Sequence, residues 1–236
     1  MANFYGHLKY DQQQLRDRVD TSGTRTDRHL DHWTLSLDAN ALDMFIPGGV
    51  STLNMGWTSG QVGFDDATAQ SVDEGSAKTQ GRFMKLTAKL THLQNLSPSN
   101  SLYITLSGQW ANNNLDSSQK MAAGGPYSVR AYDAGAVSGD SGHLATVEFQ
   151  HKLDLSRDAQ WQAVAFIDNS QVTVNTNTWV AGINTATLSG AGVGLNWSGS
   201  DQWNARAYVA TPIGSAPMLV ANPESVRVWI GISRRL

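Results

Sequence analysis

In the segment Trp161-Gln162-Ala163-Val164-Ala165-Phe166-Ile167-Asp168, the character of the side chains changes with a period of two. Successive side chains of a β-strand point to opposite faces. One face of such a strand carries Trp161, Ala163, Ala165 and Ile167, and the other carries Gln162, Val164, Phe166 and Asp168. This pattern predicts a strand that lies between an apolar environment and a more polar one.

Two further segments show the same alternation. Between residues 143 and 152, one face carries Ala145, Val147 and Phe149, and the opposite face carries Thr146, Glu148, Gln150 and Lys152. At the end of the chain, one face carries Val226, Val228, Ile230, Ile232 and Leu236, and the other carries Arg227, Trp229, Gly231, Ser233 and Arg235. In a transmembrane barrel, the apolar set faces lipid and the polar set faces the lumen.

Segments that can form strands recur along the whole chain. A strand that crosses a bilayer at a tilt needs about ten residues, and each segment has that length or more. Ten strands are predicted, at residues 3–17, 28–40, 49–60, 81–94, 101–113, 142–153, 159–169, 188–198, 202–212 and 225–235.

The connections between these strands alternate in length. Long or polar connections are predicted at 18–27, 60–80, 114–141 and 170–187, short ones at 41–48, 95–100, 154–158 and 198–201, and an intermediate one at 213–224. Every second connection of an up-and-down barrel lies on the same side, and outer-membrane barrels have short turns on the periplasmic side and long loops outside. We therefore predict an all-β fold, an antiparallel up-and-down transmembrane β-barrel.

The composition excludes several classes of protein. The 236 residues include no cysteine, which rules out disulfide frameworks, thiolate metal sites and cysteine nucleophiles. Only 16% of the residues are charged and the formal net charge is −3, which argues against a protein that binds nucleic acid by neutralising phosphates. No glycine-rich phosphate loop is followed by a lysine, and we expect neither a cofactor nor a metal ion.

The connection from Asn114 to Ser141 is the most distinctive segment of the chain. Loops of this length without secondary structure are usually functional or disordered. Its centre, Val129-Arg130-Ala131-Tyr132, is flanked by glycines, which allow the backbone to fold back tightly. If the loop enters the barrel, Arg130 needs an acidic partner, because an unpaired buried charge is costly. Asp168 and Glu148 are the candidates, since both are predicted to face the lumen.

Motifs along almost the whole chain resemble the ShlB/FhaC/HecB haemolysin activators, the outer-membrane transporters of two-partner secretion. Within the long loop these are Asn114-Leu115-Asp116-Ser117-Ser118-Gln119, Gly124-Gly125-Pro126, Val129-Arg130-Ala131-Tyr132 and Gly139-Asp140-Ser141-Gly142. They continue with Glu148, Phe166-Ile167-Asp168, Leu188-Ser189-Gly190-Ala191-Gly192-Val193-Gly194-Leu195, Ala210-Thr211-Pro212-Ile213-Gly214 and Arg227-Val228-Trp229-Ile230-Gly231-Ile232-Ser233.

The resemblance implies a sixteen-stranded barrel, preceded by two periplasmic POTRA domains, which exports one large haemolysin- or adhesin-type exoprotein. Residues 1–236 then correspond to the last ten strands, without the POTRA domains or a signal peptide. It further implies an outer-membrane location, contact with lipid and with the barrel assembly machinery, and no enzymatic activity. The family's Phe-x-Asp-x-Gly motif reads Phe166-Ile167-Asp168-Asn169-Ser170 here, with serine in place of the last glycine.

The resemblance also implies where the functional residues lie. The loop folds into the barrel, and its arginine, Arg130, pairs with an aspartate of the inner wall, Asp168. The expected loop motif comprises Gly124, Gly125, Pro126, Val129, Arg130, Ala131 and Tyr132, and its expected partners in the lumen are Asp168, Glu148 and Phe166.

Other interpretations of the residues remain open. Gly139-Asp140-Ser141-Gly142 is similar to the nucleophile motif of trypsin-like proteases, which also requires a histidine and an aspartate within reach. The cluster from Asp27 to His32 contains possible metal ligands, although a charged strand end is the simpler interpretation. Two other classes of function also remain, namely a passive porin-like channel and a soluble β-sandwich that binds carbohydrate or protein.

Overall fold

The structure, a computed structural model, describes residues 2–21, 23–43, 46–156, 158–215, 217–221 and 223–235, so that Leu236 lies outside the described residues. Ten long strands dominate it: β1 (Ala2–Val19), β2 (Thr24–Leu42), β3 (Gly49–Phe64), β4 (Gly81–Asn95), β5 (Asn100–Ala111), β8 (Ser141–Leu153), β9 (Gln160–Thr173), β10 (Thr185–Ser198), β11 (Trp203–Pro212) and β12 (Arg227–Arg234). Shorter elements are the helix α1 (Ala67–Glu74), the strands β6 (Met121–Ala123) and β7 (Val137–Gly139), and 3₁₀ turns at Ser117–Gln119 and Ser200–Gln202.

The ten long strands form one sheet in the order β1-β2-β3-β4-β5-β8-β9-β10-β11-β12. Each strand pairs antiparallel with the next long strand along the chain, and the short strands β6 and β7 pair with each other within the loop between β5 and β8. This is the up-and-down order of a barrel wall, and the predicted all-β fold is confirmed.

The face of the sheet that was predicted to be the more polar one is buried, and the face that was predicted to contact lipid is exposed. In β9, Val164 and Phe166 are each only 3% exposed and Asp168 is fully buried, whereas Ile167 on the opposite face is 58% exposed. In β12, Ile230 is 83% exposed. Large aliphatic side chains on an outward face are typical of strands that contact lipid, and the buried polar set marks the inner face.

Aromatic side chains form rows at two levels of the outward face. The rings of Tyr10 and Trp33 lie directly opposite each other on β1 and β2, with centroids 5.0 Å apart. Farther around the sheet, Trp161 of β9 lies opposite Trp197 of β10, with centroids 6.3 Å apart and next to the short turns. Rows of this kind are typical of the aromatic girdles that border the apolar band of a barrel.

The first predicted connection is different in the structure. Residues 18–27 were expected to form a polar loop, but β1 continues to Val19 and β2 begins at Thr24. The backbone ladder continues there because cross-strand pairs such as Arg28 with Asp17, at 2.6 Å, stabilise strands outside the apolar band. The polar residues therefore mark where the apolar, lipid-facing band ends, and the two strands continue beyond it.

The connection between β3 and β4 contains α1, which sequence analysis did not predict. Asp66 caps this helix by accepting hydrogen bonds from the backbone amides of Thr68 and Ala69, at 2.6 and 3.4 Å. Among the described residues, no helix is long and apolar enough to cross a membrane.

Candidate functional site

Residues 112–140, the β5–β8 loop, fold back against the inner face of the sheet. Val129, Ala131 and Tyr132 are at most 2% exposed. They form one apolar cluster with inner-face residues of β9, β10 and β11, namely Val164, Phe166, Val172, Ala186, Leu188, Tyr208 and Ala210. The loop is therefore packed as tightly as a protein core, although it connects two strands of a wall.

The backbone of the glycine motif shapes the beginning of the loop tip. Gly124 and Gly125 have φ angles of +99° and +105°, in a region that other residues rarely adopt. Pro126 follows at the second position of a turn closed by the hydrogen bond from Ser128 N to Gly125 O, at 3.1 Å. Proline is pre-organised for that position, and so the Gly-Gly-Pro order favours this tight turn at the start of the loop tip.

Arg130 is the centre of a buried network of charges. Its Nε and Nη2 donate to the two carboxylate oxygens of Asp168, at 2.9 Å each, and its backbone N donates to the same group at 3.1 Å. Its Nη1 donates to Glu148 at 2.6 Å. Asp168 also accepts a bond from the hydroxyl of Thr146, at 2.9 Å. All three charged side chains are less than a tenth exposed, and the arginine is held bidentately.

Aromatic rings complete the environment of the guanidinium. Its carbon lies 3.2 Å from the ring centroid of Phe166 and 5.3 Å from that of Tyr208. Burial alone disfavours the charged form, but hydrogen bonds with Asp168 and then Glu148 outweigh this effect and raise the pKa of Arg130. The arginine therefore keeps its charge in the docked loop.

Glycines on β10 provide the space for the loop motif. A Cβ atom added at Gly190 would lie 2.5 Å from the Cβ of Ala131, and one added at Gly192 would lie 2.5 Å from the ring of Phe166. Both contacts are far inside van der Waals distance, so the absence of side chains on this face lets the motif approach the wall. The glycine-rich sequence of β10 thus has a steric reason.

Contacts from β12 were not predicted from the sequence. The indole Nε1 of Trp229 donates to the backbone O of Arg130, at 2.7 Å, and Arg227 pairs with Asp133 of the loop, at 2.8 Å. Both residues lie on the inner-face parity that the alternation of β12 indicates. The alternation of β12 indicates that these two side chains face inward, but it does not specify which atoms of the loop they contact.

Asp140 fixes the end of the loop. Its fully buried carboxylate accepts hydrogen bonds from the backbone amides of Leu115 and Thr176, at 3.0 and 2.7 Å, and pairs with Lys120 at 2.8 Å. The hydroxyl of Ser141 accepts a bond from the backbone N of Ala111, at 3.0 Å. In the protease-like motif, the aspartate and the serine therefore both have structural hydrogen-bond partners.

The structure brings the expected site residues together at one place. Arg130 contacts Asp168, Glu148 and Phe166, while Val129, Ala131 and Tyr132 pack around this contact. Their role in export stays a prediction. In the other motif cluster, His29 of β2 bonds Asp65, just after the end of β3, at 2.8 Å, and His32 lies 3.4 Å from its cross-strand partner Asp11.

A family model for the haemolysin secretion/activation protein ShlB/FhaC/HecB matches residues 14–197. The chain belongs to this family. Curated relatives include the heme/hemopexin transporter protein HuxB of Haemophilus influenzae, strains KW20/Rd and 86-028NP, each 25% identical over 228 residues. The match covers 95% of this chain but 40% of each relative, so the chain spans well under half of their length.

Two solved structures have the same fold. CdiB from Escherichia coli matches with a TM-score of 0.63 at 18% identity, over 97% of this chain and 50% of that one. CdiB from Acinetobacter baumannii matches with a TM-score of 0.52 at 15% identity, over 97% of this chain and 47% of that one. The chain is thus an outer-membrane β-barrel sequence of the two-partner secretion type, in a family of transporters rather than enzymes.

Proposed function

We propose that this chain forms part of the outer-membrane pore through which a two-partner secretion system exports a large haemolysin- or adhesin-type exoprotein. In this proposal, residues 1–236 supply the last ten strands of a larger barrel. The observation that carries the functional role is the docking of Arg130 against Asp168 and Glu148, because it holds the loop within the lumen at a fixed position.

The inner surface that the loop leaves open supports a role in passing a polypeptide. Between the loop tip and β2–β5 lies a cavity of about 490 Å³. The part of its lining that β2–β5 contribute includes hydroxyl, amide and charged side chains: Thr34, Ser36, Asp38, Asn54, Thr87, Lys89, Ser107 and Gln109. Such groups can exchange hydrogen bonds with an unfolded chain.

The outward face defines the other partners of the proposed pore. Its exposed aliphatic band contacts outer-membrane lipid, and the aromatic rows border that band at the two interfaces. A wall of this kind is inserted by the barrel assembly machinery. The names of the curated relatives refer to heme and hemopexin, and the exoprotein proposed for this chain is of the haemolysin or adhesin type.

The variant Arg130→Ala tests the proposed role of the loop. It leaves Asp168 and Glu148 buried without their cation, and breaking a buried pair in this way costs about 3–5 kcal/mol. We expect export of the exoprotein to fall by at least about tenfold, because a docked population shifts by a factor of ten for each 1.4 kcal/mol or so. Secreted exoprotein is measured in the medium by immunoblot.

The control is Arg18→Ala, since Arg18 pairs with Asp20 on the surface and its side chain is 79% exposed. Barrel insertion is monitored for both variants by the heat-dependent mobility of the transporter in outer-membrane fractions. Undiminished export by an inserted Arg130→Ala transporter would refute the role that we assign to the loop.

A further inference from the structure

A second buried arginine meets the β5–β8 loop on the same inner face, at a different part of the sheet. Arg28 of β2 faces inward with its side chain only 7% exposed, and its Nε donates to the carboxylate of Asp116, which is 5% exposed. Its Nη2 donates to the hydroxyl of Ser117, at 3.1 Å, and its Nη1 pairs with Asp17 of β1, at 2.6 Å. One guanidinium thus joins two strands of the wall to the first residues of the loop.

Loop and wall exchange charges in this contact, compared with the contact at Arg130. There the loop provides the cation and the wall provides the carboxylates, whereas here the wall provides Arg28 and the loop provides Asp116. Asp116 also caps the 3₁₀ turn that follows, because its other carboxylate oxygen accepts from Ser118 N at 2.9 Å and from Ser118 Oγ at 2.7 Å. The first loop turn and the β2 wall are therefore fixed by the same carboxylate.

The two arginine contacts lie in separate apolar clusters. Leu115, next to Asp116, is 1% exposed and packs with Leu30, Val62 and Phe83 of β2, β3 and β4. The cluster around Arg130 draws its wall residues from β8 to β12 instead. In the sheet order, β3, β4, β5 and β8 separate β2 from β9. The loop thus spans the inner face between two independently packed attachments.

We propose that Arg28 is a second positioning residue of the transporter, which anchors the start of the loop to β2 through Asp116 independently of the Arg130 contact. The loop then has two attachments that can open one at a time. Loss of the Arg28 anchor frees residues near Leu115 while the Arg130 motif remains docked. The effect of this anchor on export rests on the proposed function. The Arg28–Asp116 contact itself is tested by an experiment that does not measure export.

The experiment uses the absence of cysteine from the chain. A Leu115→Cys reporter, and separately an Ala123→Cys reporter in the fully buried part of the other cluster, are labelled with a water-soluble maleimide in isolated outer membranes that contain the transporter. We expect Arg28→Ala to raise the labelling rate of the Leu115→Cys reporter by at least about tenfold. The labelling rate of the Ala123→Cys reporter should stay within about twofold of its value in the transporter that keeps Arg28.

Asp116→Asn keeps an oxygen that can cap the turn but removes the charge, and we expect it to reproduce the effect of Arg28→Ala. The double variant should add nothing beyond either single change, because both remove the same pair. Arg28→Lys keeps the charge without the forked donors, so its effect should be intermediate. Arg25→Ala is the matched control, since Arg25 lies on the same strand with its side chain 66% exposed.

Each result has a definite meaning. Unchanged labelling of the Leu115→Cys reporter in both Arg28→Ala and Asp116→Asn would overturn the second anchor, whatever happens to export. Labelling that rises at both reporters equally would overturn its independence from the Arg130 contact. If labelling rises as expected but export is undiminished in both Arg28→Ala and Arg130→Ala, the anchor stands and the proposed need for a docked loop fails.

Discussion

At the scale of single residues, the two carboxylates around Arg130 are not equivalent. Asp168 accepts two guanidinium bonds, one backbone bond and the Thr146 hydroxyl, and it is fully buried. Glu148 accepts one guanidinium bond and one bond from Gln150, at 2.9 Å. Bidentate pairing adds geometric specificity as well as energy, so Asp168 sets the position of the loop and Glu148 supplements it.

Substitution of the two carboxylates should therefore have unequal effects on loop docking. We expect Asp168→Ala to destabilise the docked loop by about 3–5 kcal/mol, because Arg130 loses its bidentate partner inside a packed cluster. Glu148→Gln should cost only about 1–2 kcal/mol, since it keeps an acceptor for Nη1. The labelling rate of an Ala123→Cys reporter measures the loss of loop docking in each of the two variants. Equal rates in the two variants would contradict this ranking.

The residue-level site was only partly predictable from the sequence. The pairing of Arg130 with Asp168 followed from the motif and from the parity of β9. Arg28 was missed because its neighbours in sequence, from Asp27 to His32, were interpreted as one charged strand end. Parity alone places Arg28 on the same face as Leu30. Its loop partner is 88 residues away in the chain and follows only from the tertiary structure.

At the scale of elements, β10 is shaped to receive the loop. A Cβ atom added at Gly190, Gly192 or Gly194 would lie within 2.5 Å of a side-chain atom of Ala131, Phe166 or Tyr208, respectively, and one at Gly192 would also lie 2.3 Å from the backbone O of Val209. Tyr208 and Phe166 pack edge to face, with ring centroids 5.9 Å apart. A strand interior with three glycines loses stability as a strand, and the packing of the loop and the rings offsets that loss.

The steric role of Gly190 predicts a specific rescue. Gly190→Ala should weaken loop docking by about 1–3 kcal/mol, because the new methyl group overlaps that of Ala131. Adding Ala131→Gly removes this overlap and should restore most of the docking. The labelling rate of the Ala123→Cys reporter again measures the effect. A double variant that labels faster than Gly190→Ala alone would show that the contact is not the cause.

The elements were largely predictable because a strand between lipid and lumen leaves a period of two in the sequence. All ten strands overlap their predicted positions, but β2, β3, β9 and β10 each extend three or four residues into a predicted connection, and β1 extends two. The helix α1 was missed because its eight residues are few and polar, and helices that short carry little periodic signal. The hairpin of β6 and β7 has only three residues in each strand, too few to show alternation.

At the scale of the whole molecule, the proposed pore requires the sheet to be a wall with lipid on one side and a water-filled lumen on the other. On β2, Leu35 and Leu37 face outward and are 54% and 43% exposed. Ser36 and Asp38 line the cavity on the inner face. The same strand thus presents opposite chemistry at alternate positions.

The most direct test is thiol labelling along β2 in outer membranes that contain the transporter. Single cysteines replace Leu35, Ser36, Leu37 and Asp38 in turn, and each is exposed to a hydrophilic, membrane-impermeant maleimide before and after denaturation. We predict fast labelling for Ser36→Cys and Asp38→Cys, and labelling of Leu35→Cys and Leu37→Cys only after denaturation, since lipid covers them. Equal labelling at all four positions in the native membrane would contradict the barrel wall and, with it, the proposed pore.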